Sequence, residues 1–255
     1  MLGRILAFFL LAVVSAPPVA AQGTDLVFAV TEGVTYQATP KEIRDKFTPL
    51  AELIGRAAGR RVRIVLVPSY DDARAGMAKQ EYDLAFVHPA HVSMAEIKSG
   101  KYRAIAWTTG FTEYTVSLMV PKDTAVKTLD DLNGHTLVTP DPDSITAVMV
   151  RAIFRGQKLT ASSGRDTSPA TVRVITTRYQ DAVPFYIENG FAEVGATAAN
   201  SVVKAWTDKG GKITKLSDQD EAVRRTSAAA QAVVAKSAPL KEFYDKLKAV
   251  TASVN

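Results

Sequence analysis

Two short stretches concentrate the side chains that could do chemistry. FVHPAHVSMA (86–95) holds His88 and His91, two of the chain's three histidines, three residues apart around Pro89. DPDSITA (141–147) follows a strand-like run, TLVTP, and puts Ser144 and Thr146 where a helix opens. A histidine pair suits metal ligation, general-base catalysis, or hydrogen bonding to a ligand in a cleft. Hydroxyls at a helix start sit beside unsatisfied backbone N–H groups and the positive end of the helix dipole, which together favour an anion. Ser and Asp are also the ordinary capping residues of such a helix.

The metal reading needs more ligands than two. The third histidine, His135, lies in DLNGHTLV, and no H-E-x-x-H arrangement is present. The chain has no cysteine, so thiolate metal sites and thiol catalysis are excluded. Nucleophilic catalysis needs an oriented base, and Ser144 meets His88 or His91 only across a cleft. No metal and no cofactor is therefore expected. The histidines are read as lining a cleft at a strand end, with a capping or supporting role as the alternative. Thr31 and Glu32 follow the first strand, and Arg178 sits at the end of another, where it can pair with an oxyanion or cap a helix. Tyr36 is placed to close over a ligand, Tyr114 to pack at a hinge, and Trp107 and Trp206 to sit in the core.

The elements that must position these groups can be read from periodicity. DLVFAV (25–30), RVRIVLV (61–67), DLAFV (83–87) and RAIAW (103–107) read as strands. Thr39-Pro40 is a cap followed by proline at the first helical position. Phe47, Leu50, Ala51 and Ile54 recur at helical spacing, which predicts a helix over 40–58. TLVTP, TVRVITT, AEVGAT, ITKLS and QAVVAK continue the strands, and LKEFYDKLKAV reads as a closing amphipathic helix. TASSGRDTSPAT (160–171) reads as a loop. Strand and helix alternate, which predicts a mostly parallel sheet covered by helices. Ligands then sit beyond the carboxyl ends of the strands.

The chain has 255 residues, 47% of them hydrophobic and 22% charged, enough for two lobes of about 100 residues each. Arg4, the apolar run ILAFFLLAVVSA and the small residues Val19 and Ala21 form a secretory signal peptide over 1–21, cut after Ala21. The expected location is the periplasm. The mild excess of basic residues, +5 overall, suits an anionic partner. Without interleaved aromatics it does not suggest nucleic acid.

The order of the motifs resembles the periplasmic phosphate/phosphite/phosphonate-binding proteins of ABC transporters. The resemblance runs over roughly 25–205, through PLAELIG with RVRIVLV, SYDDARAGM, YDLAFVHPAH, LDDLNGHTLVTPDPDSITA and QDAVPFYIENGFAEVGAT. It implies an α/β, type II periplasmic-binding-protein fold, with two α/β lobes and a ligand cleft between them. It also implies an oxyanion held at Ser144 to Thr146, with Tyr70 reaching in from the first lobe. Departures fall in the same places. The family's S-T-S-G reads S-I-T-A, so Ile145 replaces a hydroxyl. Gln180 stands where a histidine is usual, and His88 takes the place of a glycine. Asn200 falls where an aminoalkylphosphonate binder carries glutamate, so no carboxylate is expected to read an ammonium group.

The expected ligand-binding set is thus Thr31, Tyr70, His88, His91, Ser144, Ile145, Thr146, Arg178 and Gln180. The first lobe is expected from 24–111 and 203–255, the second from 112–202. The function this implies is capture of a phosphonate-, phosphite- or phosphate-like oxyanion by lobe closure. The closed form, expected to be monomeric, would be handed to an inner-membrane ABC permease. The alternatives are a sensing module for a membrane receptor and a periplasmic serine hydrolase.

Overall fold

The computed structural model describes residues 24–34, 38–108, 115–163, 168–215 and 232–237. The signal-peptide segment, Tyr36, Tyr114 and the closing segment LKEFYDKLKAV lie outside the described residues.

Two sheets form two lobes. The first has the order β2 (Val62–Leu66), β1 (Leu26–Thr31), β3 (Leu84–Val87), β11 (Ala232–Lys236), β4 (Tyr102–Trp107). Its helices are α1 (Pro40–Ala58), α2 (Tyr70–Ala78) and α3 (Met94–Lys98). The second sheet has the order β10 (Lys212–Lys215), β5 (Ser117–Val120), β9 (Val194–Thr197), β6 (Thr136–Thr139), β8 (Val172–Thr176), β7 (Ala161–Ser163). Its helices are α4 (Ile145–Gly156), α5 (Val183–Glu188) and α6 (Asn200–Asp208).

Side chains alternate across each sheet, and both faces are buried. On β1, Leu26, Phe28 and Val30 face α1 and pack with Phe47, Ala51 and Ile54, while Ala29 faces α2 and packs with Ala73 and Met77. In the second lobe Leu118 and Leu137 face α4 and pack with Met149, Ile153 and Phe154, whereas Met119 and Val138 pack with Val183 of α5 and Trp206 of α6. Gly195 of β9 is required by this packing. A Cβ there would lie 2.4 Å from Val183 Cγ1, so α5 approaches the strand more closely than any side chain permits.

The helix over 40–58 forms as its signals predict. Thr39 caps it in a reciprocal box with Glu42, Pro40 occupies the first turn, and Gly59 ends it in a left-handed conformation. Both sheets are mostly parallel as expected, each with one reversed strand: β11 runs antiparallel to β3 and β4, and β5 antiparallel to β9 and β10. Three features differ from the sequence reading. Within the stretch read as a loop, Ala161–Ser163 pairs with β8 as an edge strand; its short polar residues carry no period-2 hydrophobic signal. The second lobe does not end at 202, because α6 packs on its core and β10 pairs with β5. Trp206 is buried as expected, but Trp107 is half-exposed at the end of an edge strand.

Candidate ligand-binding site

A cavity of about 890 Å³ lies between the sheets. The carboxyl ends of β1, β2 and β3 supply Thr31, Pro68 and His88, and those of β6, β8 and β9 supply Asp141, Arg178 and Ala198. In both sheets these three neighbouring strands are parallel, so their outgoing loops converge on one place.

The lobes touch around this cavity. Arg74 of α2 donates to an Asp143 carboxylate oxygen at 2.8 Å. Arg178 Nη2 donates to the Pro68 carbonyl at 3.2 Å, and the Gln180 N–H to the Val34 carbonyl at 2.7 Å. His91 hydrogen-bonds the Asp143 backbone, and its Nε2 is buried without a protein partner. Burial pulls its pKa below the ordinary value, with the bond to Asp143 partly offsetting that effect. Arg74 holds the Asp143 carboxyl below its usual range.

Five of the nine expected ligand residues line the cavity: Thr31, Tyr70, His88, Arg178 and Gln180. The Tyr70 hydroxyl is buried with no hydrogen-bond partner. Burial, then the nearby Asp141 and Asp143 charges, push its pKa far above the ordinary phenol value, so it stays a neutral donor. The His88 N–H donates to the Thr31 carbonyl at 2.9 Å, which fixes the loop beside the strand ends. Gly33 makes room for the imidazole. Its φ is +95°, and a Cβ would lie 2.2 Å from His88 Cδ2. The Arg178 guanidinium lies 5.2 Å from the Tyr179 ring centroid.

Ser144, Ile145, Thr146 and His91 do not line the cavity, and the reason differs for each. The Ser144 hydroxyl accepts from Ala147 N at 3.1 Å, which makes it the N-cap of α4. Ile145 packs into the core of its lobe. Thr146 is fully buried and donates to Gln180 Oε1 at 2.9 Å. The same oxygen accepts from the Thr197 hydroxyl at 2.9 Å and Ala198 N at 2.8 Å. One carboxamide thus ties together α4, the end of β8 and the end of β9. His91 lies in the seam between the lobes.

Sequence reasoning missed several lining residues. Pro40, Ile43 and Lys46 present one edge of α1 to the cavity, although Ile43 continues the core-facing stripe. Lys46 is paired with Glu32, which also lines the cavity. Asp141 lines it as well. Thr176, Thr177 and Ser201 complete the second-lobe wall; the strand-end rule applied to β8 points to the first two. Among the described residues no group of three or more His, Cys, Asp or Glu side chains could hold a metal, and no helix is long and apolar enough to cross a membrane.

Solved structures share this architecture. XAC2383 from Xanthomonas citri, bound to ATP, is 13% identical, with a TM-score of 0.68 over 88% of this chain and 81% of that one. PhnD1 from Prochlorococcus marinus, in complex with methylphosphonate, is 13% identical, with a TM-score of 0.58 over 88% and 82%. A binding protein component of an ABC phosphonate transporter (PA3383) from Pseudomonas aeruginosa is 14% identical, with a TM-score of 0.58 over 88% and 72%. No curated protein matches the sequence. The fold is the two-lobe type II periplasmic-binding fold. The family described as periplasmic substrate-binding proteins of phosphonate ABC transporters matches residues 33–250. That is a family of solute carriers for importers rather than of enzymes. With most of its length inside that match, and with its cleft at the carboxyl ends of two parallel strand sets, the chain belongs to the periplasmic substrate-binding proteins of phosphonate ABC transporters.

Proposed function

We propose that this protein captures a phosphorus oxyanion through Arg178, Tyr70 and the strand-end groups Thr31, His88 and Gln180, and presents the closed form to an inner-membrane ABC permease. The observation that carries this reading is the buried Tyr70 hydroxyl, a donor without a protein partner, in the same cavity as the Arg178 guanidinium. A buried donor left unpaired costs about 1–3 kcal/mol, and an oxyanion acceptor removes that cost. Ser144, Ile145 and Thr146 act one step removed: Ser144 caps α4 and Thr146 anchors Gln180. The methylphosphonate-bound relative supports the choice of ligand class. The protein acts as a monomer, is exported with cleavage after Ala21, and makes and breaks no bond in its ligand.

A thermal-shift panel at fixed ionic strength tests this. It contains phosphate, phosphite, methylphosphonate, aminoethylphosphonate, ATP, sulfate, taurine and small dicarboxylates. A ligand at 100 times its Kd adds about 2.7 kcal/mol, which raises Tm by about 5–10 °C in a chain of this size. A shift with one or more phosphorus compounds that disappears in Arg178→Gln is the expected result. A shift confined to carboxylates or sulfonates overturns the ligand class.

A further inference from the structure

The two walls of the cavity differ in chemistry. The second lobe contributes a polar wall, including Asp141, Thr176, Thr177, Arg178, Gln180 and Asn200. The first lobe contributes an apolar face of Val34, Pro40, Ile43, Leu66 and Pro68, with the polar groups Thr31, Ser69, Tyr70 and His88 beside it at the strand ends. Ile43 and Leu66 are only partly buried and sit at the margin of the same core cluster, so their outer surfaces are available to a ligand. The two ionised side chains lining this wall, Glu32 and Lys46, are paired with each other.

The volume is also far larger than an inorganic oxyanion needs. Five heavy atoms at about 30 Å³ each fill about 150 Å³. The cavity holds about 890 Å³, although the lobes already touch through Arg74–Asp143, Arg178–Pro68 and Gln180–Val34. A bare oxyanion would leave most of that space to water and the first-lobe wall unused.

We infer that the ligand is an amphipathic organophosphorus compound. Its oxyanion lies on the polar second-lobe wall, and a substituent several times larger than the oxyanion lies against Ile43, Leu66 and their neighbours on the first lobe. This inference rests on the oxyanion reading above. Tyr70 reaches the head from the first lobe beside the strand-end groups Thr31 and His88, and its phenol is a buried donor left without a protein partner. Closure then buries apolar ligand surface on one lobe and satisfies charge on the other, so both lobes gain from the same ligand.

Isothermal titration of the purified protein with methylphosphonate, phenylphosphonate, inorganic phosphate and benzoate tests this. Phenylphosphonate is expected to bind about tenfold or more tightly than methylphosphonate, since burying a group of that size is worth at least a decade in Kd. Ile43→Trp, which fills the first-lobe wall, should reduce that ratio. Methylphosphonate or phosphate binding as tightly as phenylphosphonate overturns the amphipathic ligand while leaving the oxyanion reading intact. Benzoate binding without any phosphorus compound, or no binding by any of the four, overturns both. The wild-type series alone decides the matter if Ile43→Trp fails to fold.

Discussion

At the scale of single residues, His91 links acidity to the fold. It is half-buried in the seam, hydrogen-bonded to the Asp143 backbone, with Arg74, Arg151 and the Asp143 carboxylate as its charged neighbours. Its folded pKa lies below the ordinary value of 6.5, so below that pH the unfolded chain binds the extra proton first. Stability is therefore fully present above about pH 6.5 and is lost as pH falls toward the folded value. Asp143, also depressed, adds loss only at more acidic pH, below its ordinary 3.8. Urea midpoints at pH 7.5 and 5.5 should differ in the wild type and differ less in His91→Gln. Equal differences in the two proteins would assign the acid sensitivity elsewhere. Gln180 shows what residue types alone conceal. Its place in a motif marks it as a ligand contact, but the three bonds accepted by its oxygen make it equally the fastener of three elements.

Among the elements, α4 separates two roles that the sequence leaves equal. Ser144 is a cap by geometry, with its hydroxyl on Ala147 N. Ser144→Ala should cost about 1 kcal/mol, or about 2–4 °C in Tm, with ligand affinity nearly unchanged and no ester turnover in either protein. Lost affinity at unchanged Tm would mean that the hydroxyl touches the ligand. The same element scale explains what was legible. Helix α1 carries a proline, a capping box and a hydrophobic stripe, and strands such as β3 and β9 are short apolar runs between turn residues. These are local signals, and they appear in the structure near their expected limits. β7 has no such signal, because Ala161–Ser163 is held by pairing with β8 rather than by its own composition. The place of β10 in the second sheet likewise depends on a partner strand about 95 residues away in sequence. The cavity wall of α1 was hidden because Ile43 has the spacing of a core residue, and only the neighbouring lobe turns that edge into a binding surface.

For the whole molecule, closure depends on contacts that cross the seam. Arg74–Asp143 is half-exposed, and a pair in that setting is worth up to about 1 kcal/mol, or about fivefold in an equilibrium constant. Arg74→Ala should accelerate ligand release by that order in stopped-flow measurements while leaving the urea midpoint nearly unchanged. Unaltered release would show that the seam is held by Arg178, Gln180 and the ligand alone. The connection between the lobes has a further effect, on the order of assembly. The second sheet is drawn from one continuous stretch, Ser117 to Lys215, but the first is interrupted: β11 is inserted between β3 and β4, antiparallel to both. Until Ala232–Lys236 emerges, β3 and β4 have no bridge, and each presents an unpaired edge open to the wrong neighbour. The lobe that begins the chain is therefore the one completed last. In a chain growing from its N-terminus, every strand of the second sheet is available before the strand that joins β3 to β4.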